Sequence, residues 1–240
     1  MTFSTVVFRS LLAGAAVVAA ALTAPAVSAD TIALIGSGRV AGALGPRFAE
    51  QGHDIVYGSR DPSRQEVREL VARTGGEASA AGPAEAAAQA DIVVIAVPGG
   101  VAEEVVRGLG DLSGKIIIDP TNRVGEGADG YRVHAVETSN GELIQALAPG
   151  ARVVKAFNTL NYRTMADPGE AGGPVTIPLA GNDAAAKATV AALVEGMGLE
   201  PIDLGPIHYA HVLEGMLVVW VNARIQGTPF EFHLRRREVD

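Results

Sequence analysis

Thr31-Ile32-Ala33-Leu34-Ile35-Gly36-Ser37-Gly38-Arg39-Val40-Ala41 joins a short apolar run to a glycine turn and the start of an amphipathic segment. Strand, tight turn and helix in that order open a βαβ unit. Gly36 permits the turn out of the strand, Gly38 lets backbone approach a pyrophosphate, and small Ala41 allows helix and strand to pack closely. Val40, Leu44 and Phe48, at i, i+4 and i+8, predict a helix over residues 40–51. Its first N–H groups lack intrahelical partners, and with the positive end of the helix dipole they favour an anion. Residues 54–57 supply the second strand. The unit predicts a dinucleotide seat built from Gly36, Ser37, Gly38, Arg39 and Val40. A strand-to-helix turn without a ligand has the same local sequence.

The second strand runs into Gly58-Ser59-Arg60. A free ribose 2'-hydroxyl is normally gripped there by an Asp or Glu, and neither is present. Arg60 and Arg64 can set guanidinium forks on a 2'-phosphate and the Ser59 hydroxyl can donate to the same oxygens, so the pattern favours NADP over NAD. The plainer alternative is a solvated Ser-Arg-Asp-Pro turn.

Beyond this unit, helical stretches are predicted over 62–74, 83–90, 142–147, 183–197 and 207–226. Strands are predicted over 92–97, 115–119, 152–156, 175–180 and 200–203. The continuous apolar run Ile92-Val93-Val94-Ile95-Ala96-Val97 suits a strand covered on both faces. The alternation predicts an α/β fold, a Rossmann-type doubly wound and mainly parallel sheet with added C-terminal strands and helix. Residues 124–130 and 167–173 read as loops. The 240 residues carry a net charge of -8 and no cysteine, which removes thiol catalysis and cysteine-held metals and gives no sign of a nucleic-acid surface.

Residues 1–29 have the three parts of a secretory signal: Arg9, an apolar stretch over 11–22, and Val27-Ser28-Ala29 as a cleavage site. Residues 30–240 are then expected to form one NADP-binding domain with a C-terminal helical extension, exported to the periplasm and free of the membrane after cleavage. An uncleaved anchor is one alternative, and a cytoplasmic protein with a misassigned start is another.

Ligands of doubly wound sheets bind beyond the carboxyl ends of the strands. Those ends read Val97-Pro98-Gly99, Asp119-Pro120-Thr121-Asn122 and Ala156-Phe157-Asn158-Thr159. Val97 and Pro98 could pack against a nicotinamide, and the amides of Asn122 and Asn158 could hold a carboxamide or a second ring. Each stretch also suits an ordinary turn.

From Thr31 to about Arg237 the chain resembles the NADPH-dependent coenzyme F420 reductases, also called F420-dependent NADP oxidoreductases. The matching stretches are Ile35-Gly36-Ser37-Gly38, Gly52-His53, Gly58-Ser59-Arg60, Val94-Ile95-Ala96-Val97-Pro98, Asp119-Pro120-Thr121-Asn122 and Val154-Lys155-Ala156-Phe157-Asn158-Thr159, then Ala180-Gly181-Asn182-Asp183 and Arg235 to Arg237. The resemblance implies NADP on Ser37, Ser59, Arg60 and Arg64, with nicotinamide near Val97, Pro98 and Ala156. It also implies hydride exchange with a deazaflavin (coenzyme F420) or a flavin-like ring as second substrate. Alignment of two flat rings supplies most of such catalysis, so no acid-base dyad is required. A homodimer is implied as well. The rival reading is an exported, non-catalytic NADP-binding or scaffold protein.

His208, His211 and Glu214, at i, i+3 and i+6, could share a helix face. An interface helix explains them better than a metal site does, so no metal is assigned. Leu213, Leu217, Trp220, Val221 and Ile225 on the same segment read as core or as a dimer seam. His134 reads as a surface loop residue, and Arg235-Arg236-Arg237 as a solubilising terminus.

Overall fold

A computed structural model of the chain describes residue 1 and residues 29–134 and 137–237. Of the expected signal segment, residues 1–29, all but the first and last residues lie outside the described residues. Among those described, no helix is long and apolar enough to cross a membrane.

Among the described residues, ten strands and eight α-helices follow one another. They are β1 (Thr31–Ile35), α1 (Arg39–Ala49), β2 (Asp54–Gly58), α2 (Gln65–Thr74), β3 (Ser79–Ala81), α3 (Pro83–Gln89), β4 (Ile92–Ile95), α4 (Ala102–Arg107) and β5 (Ile116–Asp119). The rest are β6 (Val124–Glu126), β7 (Arg132–His134), α5 (Asn140–Leu147), β8 (Arg152–Lys155), α6 (Tyr162–Ala166), β9 (Thr176–Gly181), α7 (Ala184–Gly196), β10 (Glu200–Asp203) and α8 (Ala210–Ile225). Eight strands form one sheet in the order β10-β9-β8-β5-β4-β1-β2-β3. All its pairings are parallel except β8 with β9. The expected Rossmann-type doubly wound sheet is therefore present, with β9 reversed and β10 parallel to β9.

Period-two geometry explains why both sheet faces need cover. Ile32 and Leu34 point into one buried cluster and Ala33 and Ile35 into the other; Val94 and Val93, Ile118 and Ile117, and Val154 and Val153 divide likewise. Leu44 and Phe48 of α1 and Val190 and Val194 of α7 close the first cluster. Ala86 of α3, Ala102 of α4 and Ile144 of α5 close the second. Each large aliphatic side chain buried in this way contributes about 1.5–3 kcal/mol.

Two expected loops and three short elements differ from the sequence reading. Residues 124–130 are not simply a loop: β6 and β7 pair as an antiparallel hairpin through Val124–His134 and Glu126–Arg132, so His134 lies on a strand. The hairpin rests on α8, where the Asn222 side chain accepts from the Arg132 N–H and donates to its carbonyl. Residues 167–173 hold a 3-10 turn, Pro168–Ala171, capped by the Asp167 carboxylate. The short elements β3, α4 and α6 carry too few periodic positions to be seen in sequence.

The strand order reverses between β1 and β4, where two crossovers leave in opposite directions and open a crevice at the carboxyl edge. Strand β9 starts on this same edge, because Lys155 pairs with Ala180 and Val154 with Gly181. The C-terminal segment returns here too: the Thr176 N–H donates to the Leu234 carbonyl and the Arg236 N–H to the Thr176 hydroxyl.

Candidate functional site

At the crevice, Gly36 has φ +116°, a conformation open to glycine alone without strain. Its N–H donates to the Gly58 carbonyl at 2.8 Å, and a Cβ on it would strike the carbonyl oxygen of Ala96. One glycine therefore lets the ends of β1, β2 and β4 meet. Gly38 plays a different part. A Cβ there would meet no protein atom within 4 Å, so what this glycine leaves clear is space outside the chain. Gly38 is the N-cap of α1 and offers no side-chain cap, and the first turn carries no acidic residue. The leading N–H groups of an eleven-residue helix thus face open space with positive dipole and no internal acceptor, which is the chemistry of an anion seat. Ser37, Arg39 and Val40 stand around it.

Twenty residues on, the end of β2 is held by the Ser59 N–H on the Ala81 carbonyl at 2.9 Å. Ser59 is buried, and its hydroxyl donates to the Asp61 carbonyl at 3.1 Å while accepting from the Asp61 N–H at 3.3 Å. In this structure the Ser59 hydroxyl holds the turn that leads to Arg60. Arg60 is exposed, and Arg64, the N-cap of α2, lies 3.6 Å from Glu66 in a solvent-exposed pair of little energetic weight. Asp61 is turned to Ser63, whose hydroxyl and N–H hold its carboxyl below the usual range.

Val97 is half-buried beside Gly36, and Pro98 is exposed at the start of a 3-10 turn, Gly99–Val101. A Cβ on Gly99 would overlap the backbone of Asn122, so this turn and the end of β5 are in direct contact. Asn122 and Asn158 meet as well. Asn158 Nδ2 donates to Asn122 Oδ1 at 3.0 Å and to the Leu213 carbonyl at 2.9 Å, and Asn122 Nδ2 donates to the Asn158 carbonyl at 3.3 Å. Phe157, just before Asn158, has φ +63°, costly for a bulky residue and sustained by full burial of a ring set edge-on to Phe48 at 6.2 Å. Ala156 is fully buried at the end of β8.

Beneath this edge lies a set of charges that the sequence reading did not assign. Lys155, Asp119 and Glu214 are all 0 % exposed. Lys155 Nζ sits 2.7 Å from Asp119 Oδ2 and 2.6 Å from Glu214 Oε1, and it also donates to the Thr121 carbonyl. Asp119 Oδ1 accepts from the Thr121 N–H and hydroxyl. Glu214 accepts from the N–H groups of Arg123, Asn140 and Gly141, the last two at the start of α5. One cation and five donor groups thereby satisfy two buried carboxylates, as burial of charge requires.

Glu214 therefore does not share a metal face with His208 and His211. His208 lies against Tyr209, with ring centroids 4.1 Å apart, and His211 against His134 at 4.2 Å. Burial, ahead of the neighbouring His211, holds the His134 imidazole below its ordinary pKa.

A cleft of about 240 Å³ opens beside the start of α1, lined by Arg39 and Val40, by the 158–162 segment, by Leu217 and Trp220 of α8, and by Glu231 and Phe232. Leu217 and Trp220 thus face a cavity, whereas Val212, Val219 and Ile225 of the same helix are exposed and Leu213 is buried. Cleft and anion seat share Arg39 and Val40. Arg235, read as a solubilising residue, is tied down by donation to the Ala171 carbonyl at 2.9 Å.

The profile of the family described as NADP oxidoreductase, coenzyme F420-dependent, matches residues 31–123. A solved structure of a candidate F420-dependent NADP-reductase from Arthrobacter sp. FB24 is 34 % identical, with a TM-score of 0.76 over 86 % of this chain and 100 % of that one. The F420-dependent NADP reductase of Methanothermobacter marburgensis is 27 % identical over 201 residues, 77 % of this chain and 87 % of that protein. Metalloreductase STEAP3 of Rattus norvegicus is 28 % identical over 190 residues; the match takes in 78 % of this chain and only 36 % of that longer protein.

Proposed function

We propose, from the premise that this chain belongs to the coenzyme F420-dependent NADP oxidoreductase family, that it binds NADP(H) along the carboxyl edge and exchanges a hydride with a deazaflavin or flavin-like ring. The observation that carries this reading is the pairing of an uncapped α1 N-terminus, open at Gly38, with the exposed Arg60 and Arg64 beyond β2. The pyrophosphate belongs at the helix amides, and the 2'-phosphate belongs between the two guanidinium groups. Bound nicotinamide supplies the hydride at C4. The chain's own residues orient and shield: Val97 and Pro98 give an apolar seat, Asn122 and Asn158 brace its floor, and Leu217, Trp220 and Phe232 form a cleft wall suited to a flat aromatic ring.

Mixing the purified chain with NADPH and oxidised coenzyme F420 tests the proposal, with FMN and FAD in parallel. Bleaching of F420 well above the protein-free rate is the expected result. A folded protein that binds NADPH but bleaches none of the three acceptors would leave a binding role in place of hydride transfer.

Arg60→Ala is expected to lower the kcat/KM preference for NADPH over NADH by about tenfold or more, since a charge-assisted hydrogen bond to phosphate is worth roughly 1.5–3 kcal/mol and 1.4 kcal/mol is a factor of ten. The loss should lie mainly in the NADPH term. An unchanged preference would remove the 2'-phosphate from Arg60.

A further inference from the structure

Asn140 is 1 % exposed at the first position of α5, and its side chain leaves the helix to bridge two other segments. Nδ2 donates to the Gly99 carbonyl at 2.9 Å and to the Thr121 hydroxyl oxygen at 2.8 Å, while its backbone N–H donates to Glu214 at 3.1 Å. The Thr121 hydroxyl, having accepted from Asn140, spends its own proton on Asp119 at 2.7 Å. Asp119 meets Lys155, and Lys155 meets Glu214. The bonds from Asn140 through Thr121, Asp119, Lys155 and Glu214 and back to the Asn140 N–H form a closed ring that joins the end of β5, the end of β8, the start of α5 and the second turn of α8, and the Asn140 side chain extends it by one branch to the β4–α4 turn.

Two points of this network, the Gly99 branch and Glu214, border the site. Gly99 follows Pro98 on the turn assigned to the nicotinamide, and Glu214 lies one helical turn from Leu217 and under two from Trp220 on the wall of the cleft. Gly99 also lies directly against the Asn122 backbone, with no room for a Cβ between them. The turn can therefore shift relative to α8 only by breaking the Asn140 bridge.

We propose that Asn140 is a positioning residue that sets the spacing between the nicotinamide seat and the acceptor cleft; this rests on the hydride-transfer reading above. Hydride transfer depends steeply on the distance between the reacting carbons, whereas dinucleotide affinity comes mostly from the phosphates. Removing the bridge should thus separate rate from binding.

The experiment compares Asn140→Ala, the isosteric Asn140→Asp and Ser139→Ala. Ser139 caps the same helix in a reciprocal pair with Glu142, its hydroxyl accepting from the Glu142 N–H at 3.1 Å and its N–H donating to the Glu142 carboxylate at 3.0 Å. It makes no bond to the 97–101 turn, so it controls for simple loss of helix stability. Both alanine variants should melt a few degrees below the wild type. Only the Asn140 variants should lose about tenfold or more in single-turnover hydride transfer, with the NADPH Kd within about twofold. In the binary complex, the nicotinamide fluorescence anisotropy of bound NADPH should fall in Asn140→Ala and hold in Ser139→Ala. Wild-type rate and anisotropy in Asn140→Ala overturn the proposal, and so does an equal loss in Ser139→Ala. If the wild type binds NADPH without turnover to any acceptor, the hydride reading fails, and the anisotropy comparison still decides Asn140.

Discussion

Lys155→Met is expected to destabilise the fold by about 3–5 kcal/mol, the usual cost of removing one partner from a buried ionic cluster. Asp119 and Glu214 are both fully buried, and Lys155 lies within 2.7 Å of each. Methionine fills much of the lysine's volume but leaves two carboxylates facing one another without a cation. At roughly 2–4 °C per kcal/mol for a domain of this size, the melting temperature should fall by about 6–20 °C. Urea unfolding of the single variant and of Lys155→Met with Asp119→Asn and Glu214→Gln is the measurement. The triple variant should recover much of the loss, because neutral amides no longer repel. A single-variant loss under about 1 kcal/mol would mean that water or rearrangement solvates the carboxylates.

The second large effect separates the two glycines of the nucleotide turn. Gly36→Ala should cost about 1–3 kcal/mol of stability and weaken NADPH binding at least tenfold, because the methyl meets the Ala96 carbonyl at a backbone angle that alanine avoids. Gly38→Ala should leave the melting temperature almost unchanged, since its methyl meets no protein atom, yet weaken NADPH binding comparably by filling the space meant for the phosphates. Thermal melts and NADPH fluorescence titrations of both variants decide it. Wild-type affinity in Gly38→Ala would place the pyrophosphate elsewhere.

Much of the site was legible in sequence because each part is local. Gly36, Gly38 and the α1 start lie within a few residues of β1, and Ser59, Arg60 and Arg64 within a few of β2. The Lys155 cluster was not, although a trace of it exists. A lysine inside Val153-Val154-Lys155-Ala156-Phe157, in a strand apolar on both sides, must find a buried anion. Asp119 at the end of Ile116-Ile117-Ile118-Asp119 was one option among many carboxylates. Glu214 misled more: its spacing from His208 and His211 invites a shared face, but its carboxylate turns inward to a lysine 59 residues earlier in the chain. Asn140 gave no sign, because a capping box at Ser139 and Glu142 already explains a polar residue there.

By itself the sequence determined the alternation of strands and helices, the crevice at the end of β1 and the arginines beyond β2. Apolar period, glycine geometry and short-range charge are properties of neighbouring residues. Only the tertiary structure decided that β9 runs against β8, that Glu214 neutralises Lys155, and that Asn140 ties the Gly99 turn to the base of α8. These depend on where distant segments come together in space, and a buried donor or charge is satisfied by whichever partner the packing brings within reach.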